Sequence, residues 1–100
     1  MNTDLLLLIQ ESFEAWYNKH VAEEGHVSIV INYSDTQQLS IPAIHTSHIE
    51  MQAISLDGGK AHTESLVSLT ENYNHGVISE ADAKENMARK LMMELYNYNF

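Results

Sequence analysis

Six histidines stand among 100 residues, and two of them lie beside a carboxylate in His45-Thr46-Ser47-His48-Ile49-Glu50. Imidazole nitrogens and carboxylate oxygens that converge at about 2 Å hold zinc or a similar ion. On an extended strand, however, His48 and Glu50 share one face and His45 falls on the other unless a bulge intervenes. Polar side chains facing water are therefore the preferred reading. A small metal-binding protein using His45, His48 and Glu50 is kept as a second alternative. Gly76-Val77-Ile78 followed by Asp82 has the glycine, hydrophobe and terminal acid of a calcium loop beginning at Glu71. That pattern fails at its ligands, because Tyr73 and His75 stand where short oxygen donors belong and Asp82 replaces a long bidentate glutamate. No metal and no cofactor are expected.

The remaining catalytic vocabulary is sparse. There is no cysteine nucleophile, no serine in a nucleophile-elbow setting and no glycine-rich loop of phosphate-binding length. Acid pairs such as Glu23-Glu24 occur in any acidic protein and carry no specificity. Asp57-Gly58-Gly59-Lys60 reads as a tight turn and not an anion nest, because Asp-Gly is a turn dipeptide. The chain is expected to be non-enzymatic.

The elements that position these residues begin with a helix capped at Thr3, with Asp4 in its first turn. Leu5, Leu8, Ile9, Phe13, Trp16, Tyr17 and Val21 fall largely on one side, while Asp4, Glu11, Glu14 and Asn18 fall on the other, so this helix reads as apolar inward and negative outward. Glu23, Glu24 and Gly25 close it. The period then changes to two over Val27, Ile29, Ile31 and Tyr33, a strand with one apolar face. Ser34 and Asp35 read as a hairpin turn, with a second strand over Leu39, Ile41 and Ala43 that Pro42 pushes to a sheet edge. A third strand runs from Ile49 to Leu56. Residues 61–73 fit a short helix through Leu66, Leu69 and Tyr73. The alternation of Ser65, Val67 and Leu69 after two glycines makes a fourth strand the alternative. Ser79 with Asp82 caps a last helix whose stripe is Met87, Leu91 and Leu95, flanked by Ala88 and Met92. The fold class expected is α+β: one domain over residues 1–100, with a small antiparallel sheet of three or four strands packed against N- and C-terminal helices.

Charge is the unusual global property. Fourteen acids oppose five Lys and Arg for a formal net charge of −9, and the first 56 residues hold −6 of it. Direct binding to nucleic acid, which draws its affinity from Lys and Arg, is not expected on this balance. A basic protein partner is attracted instead, through an encounter that salt weakens. Asp4, Glu11, Glu14, Glu23 and Glu24 are the candidate acidic contacts. Tyr96, Tyr98 and Phe100, crowded at the end of the chain, are the candidate aromatic ones, since chain ends are hard to bury. The absence of cysteine suits a reducing compartment. No apolar run approaches the roughly 20 residues of a membrane span, and no signal-peptide pattern is visible, so a cytoplasmic protein without membrane contact is expected.

In composition and element order, a short, acidic, cysteine-free α+β chain resembles the small inhibitors that phages and other mobile elements direct at host defence, such as anti-CRISPR and anti-restriction proteins. That resemblance implies blockade of a nucleic-acid-binding protein, with carboxylates standing in for phosphates, and it transfers no individual residue. The alternative is an acidic adaptor or secretion-type chaperone that forms a homodimer through the Met87, Leu91 and Leu95 stripe.

Overall fold

The computed structural model describes residues 4–22, 25–38, 41–74, 76–98 and 100. Helix α1 (Leu5–His20) is followed by strands β1 (Ser28–Gln38), β2 (Ile44–Asp57) and β3 (Lys60–Asn74), then by helix α2 (Glu80–Leu95) and a 3-10 turn over Tyr96–Tyr98. The strands form one antiparallel sheet in the order β1-β2-β3. This is the expected α+β class, with three strands and a helix at each end.

The three strands are not the three that the sequence pattern suggests. Ser34 and Asp35 lie inside β1, paired with His48 and Ser47, and make no turn. The segment of Ile41 and Ala43 belongs to the connection between β1 and β2, while Leu39 lies outside the described residues. β2 begins at Ile44 and is the central strand, so Pro42 sits ahead of it and not on an edge strand. The expected third strand is the second half of β2. Residues 61–73 are strand, not helix, and supply the third member of the sheet. Here Gly58 and Gly59 adopt φ of +59° and +82° between the paired residues Asp57 and Lys60, a two-residue hairpin turn that only glycine enters without strain.

Both helices start where their caps dictate. The cap of α1 is Asp4, whose carboxylate accepts the N–H groups of Leu6 and Leu7 at 3.1 and 3.4 Å, while Thr3, the expected cap, lies outside the described residues. At α2 the Ser79 hydroxyl accepts the Asp82 N–H at 3.1 Å, with Glu80 and Asp82 favourably placed in the first turn. The α2 stripe is buried as its spacing requires, Met87, Leu91 and Leu95 all being inaccessible.

One face of the sheet makes the core. Ile29, Ile49, Met51, Ala53 and Val67 meet Leu6, Ile9 and Phe13 of α1 and Met87, Ala88, Leu91 and Leu95 of α2. Phe13 is the hub, its ring touching those of Trp16, Tyr17, Tyr98 and Phe100 at centroid distances of 5.4 to 5.9 Å. The opposite face has no layer over it among the described residues and carries Asn32, Ser34, Thr36, Thr46, His48, Glu50, Thr70 and Asn72. No helix among the described residues is long and apolar enough to cross a membrane.

Candidate functional site

The two edges of the sheet are treated differently, and this difference defines the candidate site. Gln10, Glu14 and Asn18 recur every fourth residue along α1 and therefore line up on one face. Each accepts a backbone N–H from β1: Gln10 from Ile31 at 3.0 Å, Glu14 from Ile29 at 2.8 Å and Asn18 from Val27 at 2.7 Å. Asn18 also donates to the Val27 carbonyl at 2.8 Å. The side chains of a helix thus occupy the outer edge of β1 from Val27 to Ile31, where an unpaired strand would otherwise present donors and acceptors to any passing chain.

The hydrogen-bonding direction alternates along a strand. Since residues 27, 29 and 31 point their N–H groups toward α1, the odd residues of β2 point theirs toward β3, and Ser68, Thr70 and Asn72 point theirs away from the sheet. No described residue pairs with that outer edge between Ser68 and Asn72. A bulge at Met51/Gln52 leaves Leu66 as the extra residue of β3, and its carbonyl accepts the Tyr98 hydroxyl at 3.0 Å. Beside this edge lies a groove of about 440 Å³ walled by Leu66 to Leu69 on one side and Glu94, Asn97 and Tyr98 on the other.

The second cluster is polar and buried. His45 Nδ1 lies 2.8 Å from Asp35 Oδ2, which also takes the Ser47 hydroxyl at 3.3 Å and the Tyr33 hydroxyl at 3.4 Å. The Tyr33 and Ser47 hydroxyls are 3.1 Å apart, and the Tyr73 ring lies against His45 at 5.4 Å. The trio has the composition of a hydrolytic triad but the wrong wiring. The imidazole must stand between serine and carboxylate to take the serine proton, whereas here the carboxylate stands between the other two and Ser47 is fully buried. What the arrangement does is fasten β1 to β2. Asp35 Oδ1 and the Tyr73 hydroxyl find no partner among the described residues. Burial pushes the Tyr33 phenol above its ordinary value of 10.0, with the Asp35 charge adding to the rise and the Ser47 hydrogen bond opposing it.

The proposed metal trio is separated by the pleat. His45 is in this buried cluster, while His48 and Glu50 are on the opposite face, where His48 Nδ1 meets the Thr70 hydroxyl at 2.8 Å. No group of three or more potential ligands converges among the described residues.

The residues expected to meet a partner are also dispersed. Asp4 is spent on the α1 cap, and Glu14, read from the sequence as outward, is turned onto the edge of β1. Glu11 is exposed, and Glu23 and Glu24 lie outside the described residues. At the chain end the pattern is the reverse of that expected from fraying. Tyr98 and Phe100 pack edge-on against Phe13, while Tyr96 is 65% exposed. The stripe offered for homodimerisation is consumed by the chain's own core. Residues missed by sequence reasoning are those of the β3 edge, whose one signal was the alternation of Ser65, Val67 and Leu69.

No protein-family model matches the chain, and no curated protein or solved structure is significantly similar to it.

Proposed function

We propose that the protein is a non-enzymatic acidic binding protein whose partner is a basic protein of the kind that holds nucleic acid through lysines and arginines. The observation that carries this reading is the charge left over after internal pairing. Fourteen acids meet five Lys and Arg, and among the described residues only Glu71 and Glu85 are engaged by a lysine or arginine, through Lys90 at 2.5 Å and Arg89 at 2.8 Å. Carboxylates that are not neutralised within a fold attract a positive surface from about a Debye length away, roughly 8 Å at physiological salt.

Among the described residues, exposed Glu11, Asp57, Glu64, Asp82 and Glu94 can act in this way. Covering the basic face of a nucleic-acid-binding protein would block it, the role that the likeness to anti-CRISPR and anti-restriction inhibitors implies. The test has two steps. The tagged protein is used to capture partners from extracts of its source cell at low and high salt, and the captured partner is then offered a nucleic-acid duplex. Salt-sensitive capture and mutual exclusion with the duplex are expected. A partner that holds both at once, or whose affinity ignores salt, removes the inhibitor reading.

A further inference from the structure

We infer that the outer edge of β3 takes an extended segment of the basic partner as a fourth strand, with a lysine or arginine of that segment lying in the adjoining groove against Glu94. This rests on the proposed function for the charge of the partner and adds the place and mode of contact.

The first support is the contrast between edges. From Val27 to Ile31 the edge of β1 is closed by three helix side chains, yet β3 carries one N–H and one C=O each on Ser68, Thr70 and Asn72 directed away from the sheet beside the groove. Edge strands are ordinarily protected by a lysine, a proline, a bulge or a cover. Over 68–72 β3 has no lysine and no proline, its bulge lies outside this stretch, and the Tyr98 hydroxyl covers only Leu66. The open stretch is about 14 Å long at the usual strand rise. An incoming strand finds main-chain partners there, and alternate side chains fall into the groove, which is how edge-addition complexes obtain affinity and selectivity.

The second support is the sign of the surroundings. Glu94 lines the groove on the helix side, and Glu50 lies on the open face in register with Ser68. Lys90, the lysine that reaches β3, is already engaged by Glu71. A lysine or arginine in the incoming segment is therefore matched, and an acidic one is repelled. A second copy is disfavoured by the same charges, since pairing two β3 edges would join two chains of −9 each.

The test uses three ten-residue peptides: one alternating lysine with threonine, one with glutamate replacing lysine, and a copy of the first with the backbone N–H groups on its pairing side methylated. Affinities are read by titration, and backbone amide exchange in the full chain by NMR. The lysine peptide is expected to bind and to slow exchange at Ser68, Thr70 and Asn72 at least tenfold. The methylated copy is expected to bind about tenfold more weakly, as is the lysine peptide to Thr70→Pro, while Glu94→Gln weakens it about threefold. Because the Thr70 N–H points outward, the proline removes no ladder bond. Glu94→Gln and the methylated peptide keep the test open if Thr70→Pro fails to fold.

Equal binding of the methylated copy, or unchanged exchange at the three amides, overturns the edge site and leaves a basic partner standing. Equal binding of the glutamate peptide overturns the charge argument and the proposed function with it. Protection that grows with protein concentration alone gives the edge to a second copy and overturns the inference. So does an absence of binding by any peptide up to about 1 mM, near −4 kcal/mol.

Discussion

Asn18 holds Val27 by both of its backbone groups, accepting the N–H at 2.7 Å and donating to the carbonyl at 2.8 Å. The amide side chain reproduces, from a helix, the pairing a neighbouring strand would supply. Asn18→Leu removes both bonds and leaves a strand end unsatisfied, at a cost of about 2–3 kcal/mol. Asn18→Asp keeps the acceptor and loses the donor, so about half of that loss is expected. Urea unfolding monitored by circular dichroism measures both. A leucine variant as stable as the parent would show that α1 is held to the sheet by its apolar contacts alone.

Asp35 is the one acceptor shared by His45, Ser47 and Tyr33. Asp35→Ala strips all three at once inside the protein, and a destabilisation of about 3–5 kcal/mol is expected, the range for breaking a buried charged contact while leaving its partners in place. Ser47→Ala, which removes one arm, is expected to cost about 1 kcal/mol. Thermal melts compare the two. Comparable losses from both variants would mean that the three contacts do not depend on a common centre.

Phe13 is inaccessible and touches four other rings, two of them contributed by the end of the chain. Phe13→Ala is expected to cost about 3–5 kcal/mol through lost transfer energy and an incompletely collapsed cavity. Phe13 and Phe100 both touch Trp16, so the same variant is expected to shift tryptophan emission to longer wavelength before global unfolding. Emission unchanged until the main transition would contradict the role of Phe13 in seating Phe100.

Alkaline pH offers a separate handle. Tyr33 and Tyr17 are both pushed above 10.0 by burial, with Asp35 acting next among the raising influences on Tyr33, and Glu64 and Tyr98 on Tyr17. The fold therefore favours the neutral phenols more than the unfolded chain does. Their contribution is complete below about pH 10 and is lost as pH rises through the folded values. The urea midpoint is expected to hold steady up to about pH 9.5 and then fall, with a shallower fall in Tyr33→Phe. An identical alkaline slope in that variant would remove Tyr33 from the account.

The class of the fold and the α2 helix were legible because their signals are local: a cap at Ser79 and a stripe through Met87, Leu91 and Leu95. β3 was obscured by its bulge. The extra residue at Leu66 breaks a period of two, and Leu66, Leu69 and Tyr73 are then spaced by three and four, the mark of a helix. Ser34 and Asp35 have turn chemistry, but Asp35 is here committed to a buried network that no neighbouring residue announces. Glu14 and Asn18 misled for a related reason. Polar residues at helical spacing ordinarily face water, and nothing nearby in sequence indicates that a strand edge requires them. The site followed the same rule, because an unpaired edge is a property of the assembled sheet.

β2 and β3 run on past the first residue of β1, so residues 55–62 form a two-stranded ribbon that is exposed from Leu56 to His62. This gives the chain a long axis of 50 Å against 29 and 27 Å, and a radius of gyration of 15.7 Å where about 13 Å is usual for its length. Such a rod sweeps out more solvent than a ball of 11.4 kDa. On a sizing column calibrated with round standards it will elute early, and the single molecule will be mistaken for a larger species unless its mass is weighed by light scattering.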